Sequence, residues 1–270
     1  MEYIKDTDYD YIMNKYTDND NRFIRVDDIF APETGMDGDL IKSEIARRDK
    51  EISHLPHPVR KAKAFEFVLD NTRISCDCRD IFPAINAIDR PVNGMITDEW
   101  SGEVFCELIP EVAKKRNQLE DDGIVTIWPD YDHSVPYWDR IFELGFEGLL
   151  NESEKIRSGR DLTDEEDAFF EGIRITYNAI VNFIARLTQL AKETQGSEKM
   201  AAALDNITHN PPKTFYEALL VDYLYFMMSE HIEGLQVRSL SNFDRLLYPF
   251  YKNDLENGVT ESELRTDLAY

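Results

Sequence analysis

The side chains best suited to chemistry fall in one short stretch, Asp130-Tyr131-Asp132-His133-Ser134-Val135-Pro136-Tyr137-Trp138. An imidazole that titrates near neutrality, set among carboxylates and aromatic rings, can hydrogen-bond a hydroxylated substrate or exchange a proton with it. A plainer role suits the same residues: His133 pairing with Asp130 or Asp132 where a helix begins. A second polar cluster, Arg238-Ser239-Leu240-Ser241-Asn242-Phe243-Asp244, follows the most apolar stretch of the chain. It reads as a capped turn in which Asp244 starts a helix and Arg238 pairs with a carboxylate.

The cysteines offer less. Cys76-Asp77-Cys78 is a C-x-C pair, but zinc sites put about two to four residues between ligands and need four ligands. No second cysteine pair exists, and His54 and His57 fall at a helix break, so no metal site is expected. Cys76 and Cys78 read instead as small, buried or half-buried residues beside a strand. There is no Ser/His/Asp arrangement, no G-x-G-x-x-G and no P-loop. With Cys106 the cysteines form an odd set in a long chain, which predicts reduced thiols and a cytoplasmic location.

The chain has 270 residues and a formal charge of −23, from 53 acidic against 30 basic side chains. Such a surface repels phosphate backbones and anionic lipid, so nucleic-acid and membrane binding are not expected. Hydrophobic residues make up 42%, enough for a sizeable core. The best apolar run, Leu219 to Met228, is too short to span a bilayer and is interrupted by Asp222. The acidic N-terminus lacks the basic-then-apolar pattern of a secretory signal.

Residues 1–39 read as an Asp-rich surface arm with one short helix, and residues 40–270 as the folded part. Asp39 is the expected cap of a first helix, and Pro58 sits where a first-turn proline opens a second. Ile74 to Phe82 should hold a short strand, 83–105 a loop, Pro110 to Leu119 a helix, and Ile124–Trp128 a strand or extended segment. Pro136 should open a helix that Gly145 interrupts, with a further helix at 147–157. Thr163 with Glu166, Thr214 with Glu217 and Thr260 with Glu263 are three capping boxes. The first predicts a long helix with Phe169, Ile173, Tyr177, Ile180, Ile184, Leu187 and Ala191 on its buried face. The second predicts a helix buried on most sides. The third opens a helix running to Tyr270, as in a chain cut from something longer. The fold class that follows is mainly α with a few short strands.

Four segments together resemble the N-terminal, pyruvate-formate-lyase-like domain of the glycyl radical enzymes. They are VRKAKAFEFVLDNTRI, DHSVPYWDRIFELGFEGLL, FFEGIRITYNAIVNFIARLTQLA, and PPKTFYEAL with SLSNFDRLLYPFYKNDLENG. The resemblance runs from about Val59 to Tyr270. It implies the N-terminal helical part of the glycyl radical enzyme α/β barrel, so residues 40–270 would be a partial domain. It also implies a radical on a C-terminal glycine, installed anaerobically by a radical-SAM activase and passed to a cysteine that attacks the substrate. In dehydratase-like members a loop histidine and a serine after the buried helix contact substrate. His133 and Ser239 match these positions, and Asp244 matches the aspartate of the Ser-x-Gly-Arg-x-Asp pattern.

The chain departs from the family at Asp132, where glycine is usual, and at Ser241-Asn242, where Gly-Arg is common. In Cys106-Glu107 the residues are adjacent, whereas the dehydratase motif is Cys-x-Glu; no Arg-Val-x-Gly-Tyr-like loop is present. No catalytic residue is therefore assigned to this chain, and it should bind no cofactor itself. The expectation is a segment of a dehydratase or lyase that is inactive alone. Its partners would be a small-molecule substrate, the activase, a complementary C-terminal fragment and another copy of itself. The alternative is a non-catalytic helical binding or regulatory module on the same fold. As a segment, it should expose an apolar patch at Leu246, Leu247, Phe250 and Tyr270.

Overall fold

The computed structural model describes residues 32–78, 80–85, 92, 108–125, 135–233 and 240–269. Helix α1 (Gly38–Ile52) is capped by Asp37, whose carboxylate accepts from Leu40 N at 2.9 Å. The expected cap, Asp39, lies within the first turn, where its charge still suits the helix dipole. Helix α2 (His57–Asn71) has Pro58 in its first turn and buries Phe65, Phe67, Val68 and Leu69. Asp49 of α1 receives two hydrogen bonds from Arg60 of α2, at 3.0 and 2.8 Å.

The strands are minimal. β1 (Ile74–Ser75) pairs antiparallel with β2 (Ala84–Ile85), Ile74 opposite Ile85. The expected strand at Ile124–Trp128 does not begin at Ile124. The amides of Ile124 and Val125 instead fold back onto the Leu119 carbonyl, closing helix α3 (Pro110–Asp121). Residues 126–128 lie outside the described part, as do most of 83–105 beyond β2.

Helix α4 (Trp138–Ser158) kinks at Gly145, with φ 66° and ψ 178°. A Cβ there would lie 2.9 Å from the Asn210 carbonyl, so a side chain is excluded by both conformation and contact. Helix α5 (Asp164–Glu193) follows the first capping box and, at about 1.5 Å per residue, spans about 45 Å. Helix α6 (Glu198–His209) packs along α5, and α7 (Phe215–Phe226) follows the second capping box. α7 buries every residue from Phe215 to Val221, and Leu224 as well. It continues as a π-helical turn, Met227–Glu233. α8 (Phe243–Glu256) and α9 (Glu261–Ala269) complete the described chain; α9 opens on the third capping box, with Thr260 N bonded to Glu263 at 2.9 Å.

The core lies where α2, α5, α6 and α7 meet: Leu69, Phe183, Ile184, Leu187, Leu204, Leu220 and Leu224 are all fully buried. α2 can approach α5 closely because Gly172 faces Pro58, whose carbonyl would be 2.9 Å from an added Cβ. At the far end, Arg186 of α5 donates to the carbonyls of Leu69, Thr34 (3.1 Å) and Thr72 (3.0 Å). One guanidinium thereby satisfies the carbonyl end of α2 and holds the 32–36 segment against it.

One expectation about α5 is corrected. Ile180, Ile184, Leu187 and Ala191 are buried as the spacing predicts. Nearer the N-terminus the buried residues are Phe170, Gly172, Ile175 and Ala179, while Phe169 is 55% exposed and Ile173 and Tyr177 are half-buried. Here the Gly172 side of the helix faces Pro58 of α2, and the expected stripe borders a groove.

Candidate functional site

Of the three residues matched to substrate contacts, His133 and Ser239 lie outside the described residues. Asp244 is described: it is exposed in the first turn of α8, behind Asn242, which occupies the cap position. Asp244 therefore does not begin the helix, but its carboxylate stands at the positive end of the helix dipole. Just ahead, Ser241 adopts φ 54°, the left-handed region that non-glycine residues seldom enter. That turn redirects the chain between Leu240 and α8.

The structure fixes the frame to which these segments attach. Trp138, at the head of α4 and 2% exposed, packs on Phe142 (ring centroids 5.9 Å apart), Tyr225 (5.0 Å) and Phe226 (6.0 Å). The stretch containing His133 thus runs into an aromatic anchor on the end of α7. The stretch containing Ser239 leaves from the π-helical turn that continues α7. Insertions of this kind are frequent at functional sites because they re-aim the chain without breaking the helix.

α8 is held to the same frame. The buried carboxylate of Asp254 accepts from Phe215 N at 2.9 Å, placing a negative charge at the α7 N-terminus. Phe250 meets Phe142 edge-on at 5.7 Å, and Tyr251 meets Phe215 at 5.8 Å. These contacts correct the expected apolar patch. Leu247 is 2% exposed, Leu246 and Phe250 are half-buried against the core, and Tyr270 is outside the described residues. α8 turns its hydrophobic side inward on α4 and α7, leaving Tyr248 and Leu255 as its exposed large hydrophobics.

Two titratable groups stand out. Asp222, half-buried on α7, has its carboxyl pushed up to about 7 by burial. The sequence marks it only as an acid interrupting an apolar run; an acid at such a position is the available signal of a desolvated carboxyl. Cys76, half-buried after β1, is pushed up to about 12 by burial and then by the charge of Asp80. Its thiol stays protonated near neutrality and is a poor ligand or nucleophile. Cys78 is exposed, contrary to the expected burial, and its Cβ lies against Gly196. Cys106 lies outside the described residues.

Tyr216 and Tyr223 position the β-ribbon loop. Tyr216 donates to the Ile81 carbonyl and Tyr223 to that of Pro83 at 2.7 Å, while Phe82 stacks on Tyr223 at 4.6 Å. Burial pushes the Tyr216 phenol up, so its hydroxyl stays protonated as a donor. Among the described residues no helix is long and apolar enough to cross a membrane.

Comparison with known proteins agrees with this architecture. The chain is 35% identical over 204 residues to the glycyl radical subunit of 4-hydroxyphenylacetate decarboxylase from Clostridioides difficile, covering 64% of this chain and 22% of that protein. It is 29% identical over 181 residues to a probable dehydratase of Escherichia coli, YbiW, covering 62% and 21%. The chain thus spans about a fifth of the length of these relatives. Its fold superposes on a glycyl radical enzyme from Archaeoglobus fulgidus with a TM-score of 0.64 at 19% identity, covering 85% of this chain and 37% of the other. Residues 85–268 match the family described as pyruvate formate lyase-like. That match begins at Ile85, the last residue of the β-ribbon's second strand, and covers every helix from α3 to α8, and the chain belongs to this family of glycyl radical enzymes.

Proposed function

We propose that this chain forms the N-terminal helical part of a glycyl radical enzyme of the dehydratase or lyase type, which cleaves a C–O, C–C or C–N bond of a small substrate. The observation that carries the reading is the family match over residues 85–268, together with relatives that act as dehydratases and lyases. Its helices would supply one wall of the substrate pocket. His133 and Ser239 would hydrogen-bond a hydroxylated substrate from the two segments anchored at the end of α7. Asp244, at the head of α8, would orient the turn between Ser239 and that helix.

The radical is not assigned to this chain, whose cysteines stand in no Cys-x-Glu motif. A glycyl radical, when present, supplies the hydrogen abstraction that starts the reaction. It would reside in a C-terminal polypeptide and be installed by a radical-SAM activase under anaerobic, cytoplasmic conditions. By this reading the chain alone turns over no substrate.

The test is to produce the chain with the polypeptide encoded downstream of it and with the activase, activate anaerobically, and record the electron paramagnetic resonance spectrum. A glycyl radical doublet and diol or hydroxy-acid turnover are expected, with turnover falling at least about 100-fold in His133→Ala. An assembled, activated pair with no radical signal would overturn the catalytic reading and leave a helical binding module.

A further inference from the structure

α7 and the π-helical turn that continues it share one apolar pattern. Leu220, Leu224, Met228 and Ile232 recur at every fourth position, and none is more than 3% exposed. At about 3.6 residues per turn, a spacing of four drifts about 40° around the axis at each step, so in a regular helix Ile232 would stand about 120° from Leu220. The turn Met227–Glu233 reaches back five residues instead of four and winds less per residue. That cuts the drift and keeps Ile232 buried.

Ser229 stands inside this turn. It is 8% exposed, and its hydroxyl donates to the Tyr225 carbonyl at 2.6 Å, with the Phe226 carbonyl at 3.5 Å. Tyr225 and Phe226 are the last two residues of α7, where the ladder changes from one spacing to the other. A hydroxyl that takes the carbonyl four residues back competes with the helix's own amide for it, and so favours a widened turn. Thr188 and Thr208 make the same bond, to Ile184 and Leu204, inside regular helices. The hydroxyl alone is therefore not enough. Around Thr188 the buried Ile180, Ile184, Leu187 and Ala191 alternate spacings of four and three, which a regular helix accommodates. At Ser229 the hydroxyl coincides with an unbroken spacing of four.

We propose that Ser229 is a positioning residue: its hydroxyl holds the π-helical turn, and the turn sets the direction in which the chain leaves α7 towards Ser239. The inference rests on the reading above, in which Ser239 contacts the substrate. Ser229 itself touches no substrate and acts through Ser239. The two residues whose carbonyls it engages also carry the rings that pack on Trp138, at 5.0 and 6.0 Å. The departure towards Ser239 is thereby tied to the anchor of the stretch containing His133.

The experiment has two arms. In the chain alone, hydrogen exchange read by mass spectrometry should show the amides of 227–233 exchanging about tenfold faster in Ser229→Ala, for the loss of one hydrogen bond. The urea midpoint should move little, and Ser229→Thr, which keeps the hydroxyl, should behave as the parent. In the activated assembly with the downstream polypeptide, Ser229→Ala should lower kcat/KM about tenfold with the radical signal undiminished, and Ser229→Thr should restore it. The double variant Ser229→Ala/Ser239→Ala should lose no more than Ser239→Ala alone, because the first residue acts through the second. A purely structural role would give additive losses, which would overturn the proposal, as would unchanged exchange in Ser229→Ala. A parent assembly without a radical signal overturns the proposed function itself and the role of Ser229 with it, a result distinct from either of those.

Discussion

From Ile180 onward, α5 buries its apolar stripe between α2 and α6, and Arg186 joins the amides of Met36 and Thr72 in closing the carbonyl end of α2. From Phe169 to Tyr177 the same spacing continues, but the side chains border an open groove that Phe65, Tyr225 and Met228 also line. The two halves are built from one hydrophobic pattern on one unbroken helix. They differ in what lies opposite. Leu69, Phe183 and Leu187 close the first half, whereas Gly172 draws the start of α2 so close that the adjoining stripe is left outside the contact. Periodicity reports which face of a helix is apolar; whether that face meets a core or a cleft is settled by the neighbouring element.

The comparison breaks most sharply at the closed half. Leu187 is fully buried, so Leu187→Ala should cost about 3–4 kcal/mol through lost transfer energy and the cavity left behind. Urea denaturation followed by circular dichroism reads this directly. A loss below about 1 kcal/mol would mean that this end is not the tight core described.

Arg186→Ala should follow at about 3 kcal/mol, because three carbonyls lose a charged donor at the end of α2. Arg186→Lys should recover only part, since an ammonium cannot reproduce the planar fork. Hydrogen exchange should show the effect at the 34–36 segment and the last turn of α2. Equal exchange in variant and parent would show that the clamp is not what holds them.

Asp222, on α7, adds a pH dependence to the stability of the fold. Its carboxyl ordinarily titrates near 3.8 and in the folded chain near 7. Between these values the folded state retains a proton that the unfolded state has released. Stability therefore falls as pH rises from about 4 to about 7 and stays low above that. Asp222→Asn should remove this slope. It should gain about 1–2 kcal/mol at pH 8, the full linkage value being reduced because the group is only half-buried, and gain nothing near pH 4. Identical pH profiles for the two proteins would place the Asp222 carboxyl in water.

The sequence makes the helical layout legible because its signals are local. Thr163, Thr214 and Thr260 each cap a helix with the glutamate three positions on, and Gly145 interrupts α4 where its positive φ requires. What it does not show depends on distant partners. The cap at Asp37 instead of Asp39 follows from how Met36 and Gly35 are held against Asn71 and Thr72. Leu247 is buried because Asp254, Phe250 and Tyr251 dock α8 onto α4 and α7, which no pattern within α8 announces. The site is legible only as far as its anchors. Trp138 and the end of α7 are set by aromatic packing, while His133 and Ser239 rest on the family resemblance.

The smallest effect is expected at the open half, and it sharpens the comparison most. Ile173 has the same position in the repeat as Leu187 but is only half-buried. Ile173→Ala removes apolar area already partly in contact with water and leaves a widened groove that solvent can fill, not a sealed void. It should cost less than about 1 kcal/mol. If the measured loss instead approaches that of Leu187→Ala, something covers this face in solution. A concentration dependence of the unfolding midpoint would then distinguish a second copy from a segment of the same chain, because only association makes stability depend on protein concentration.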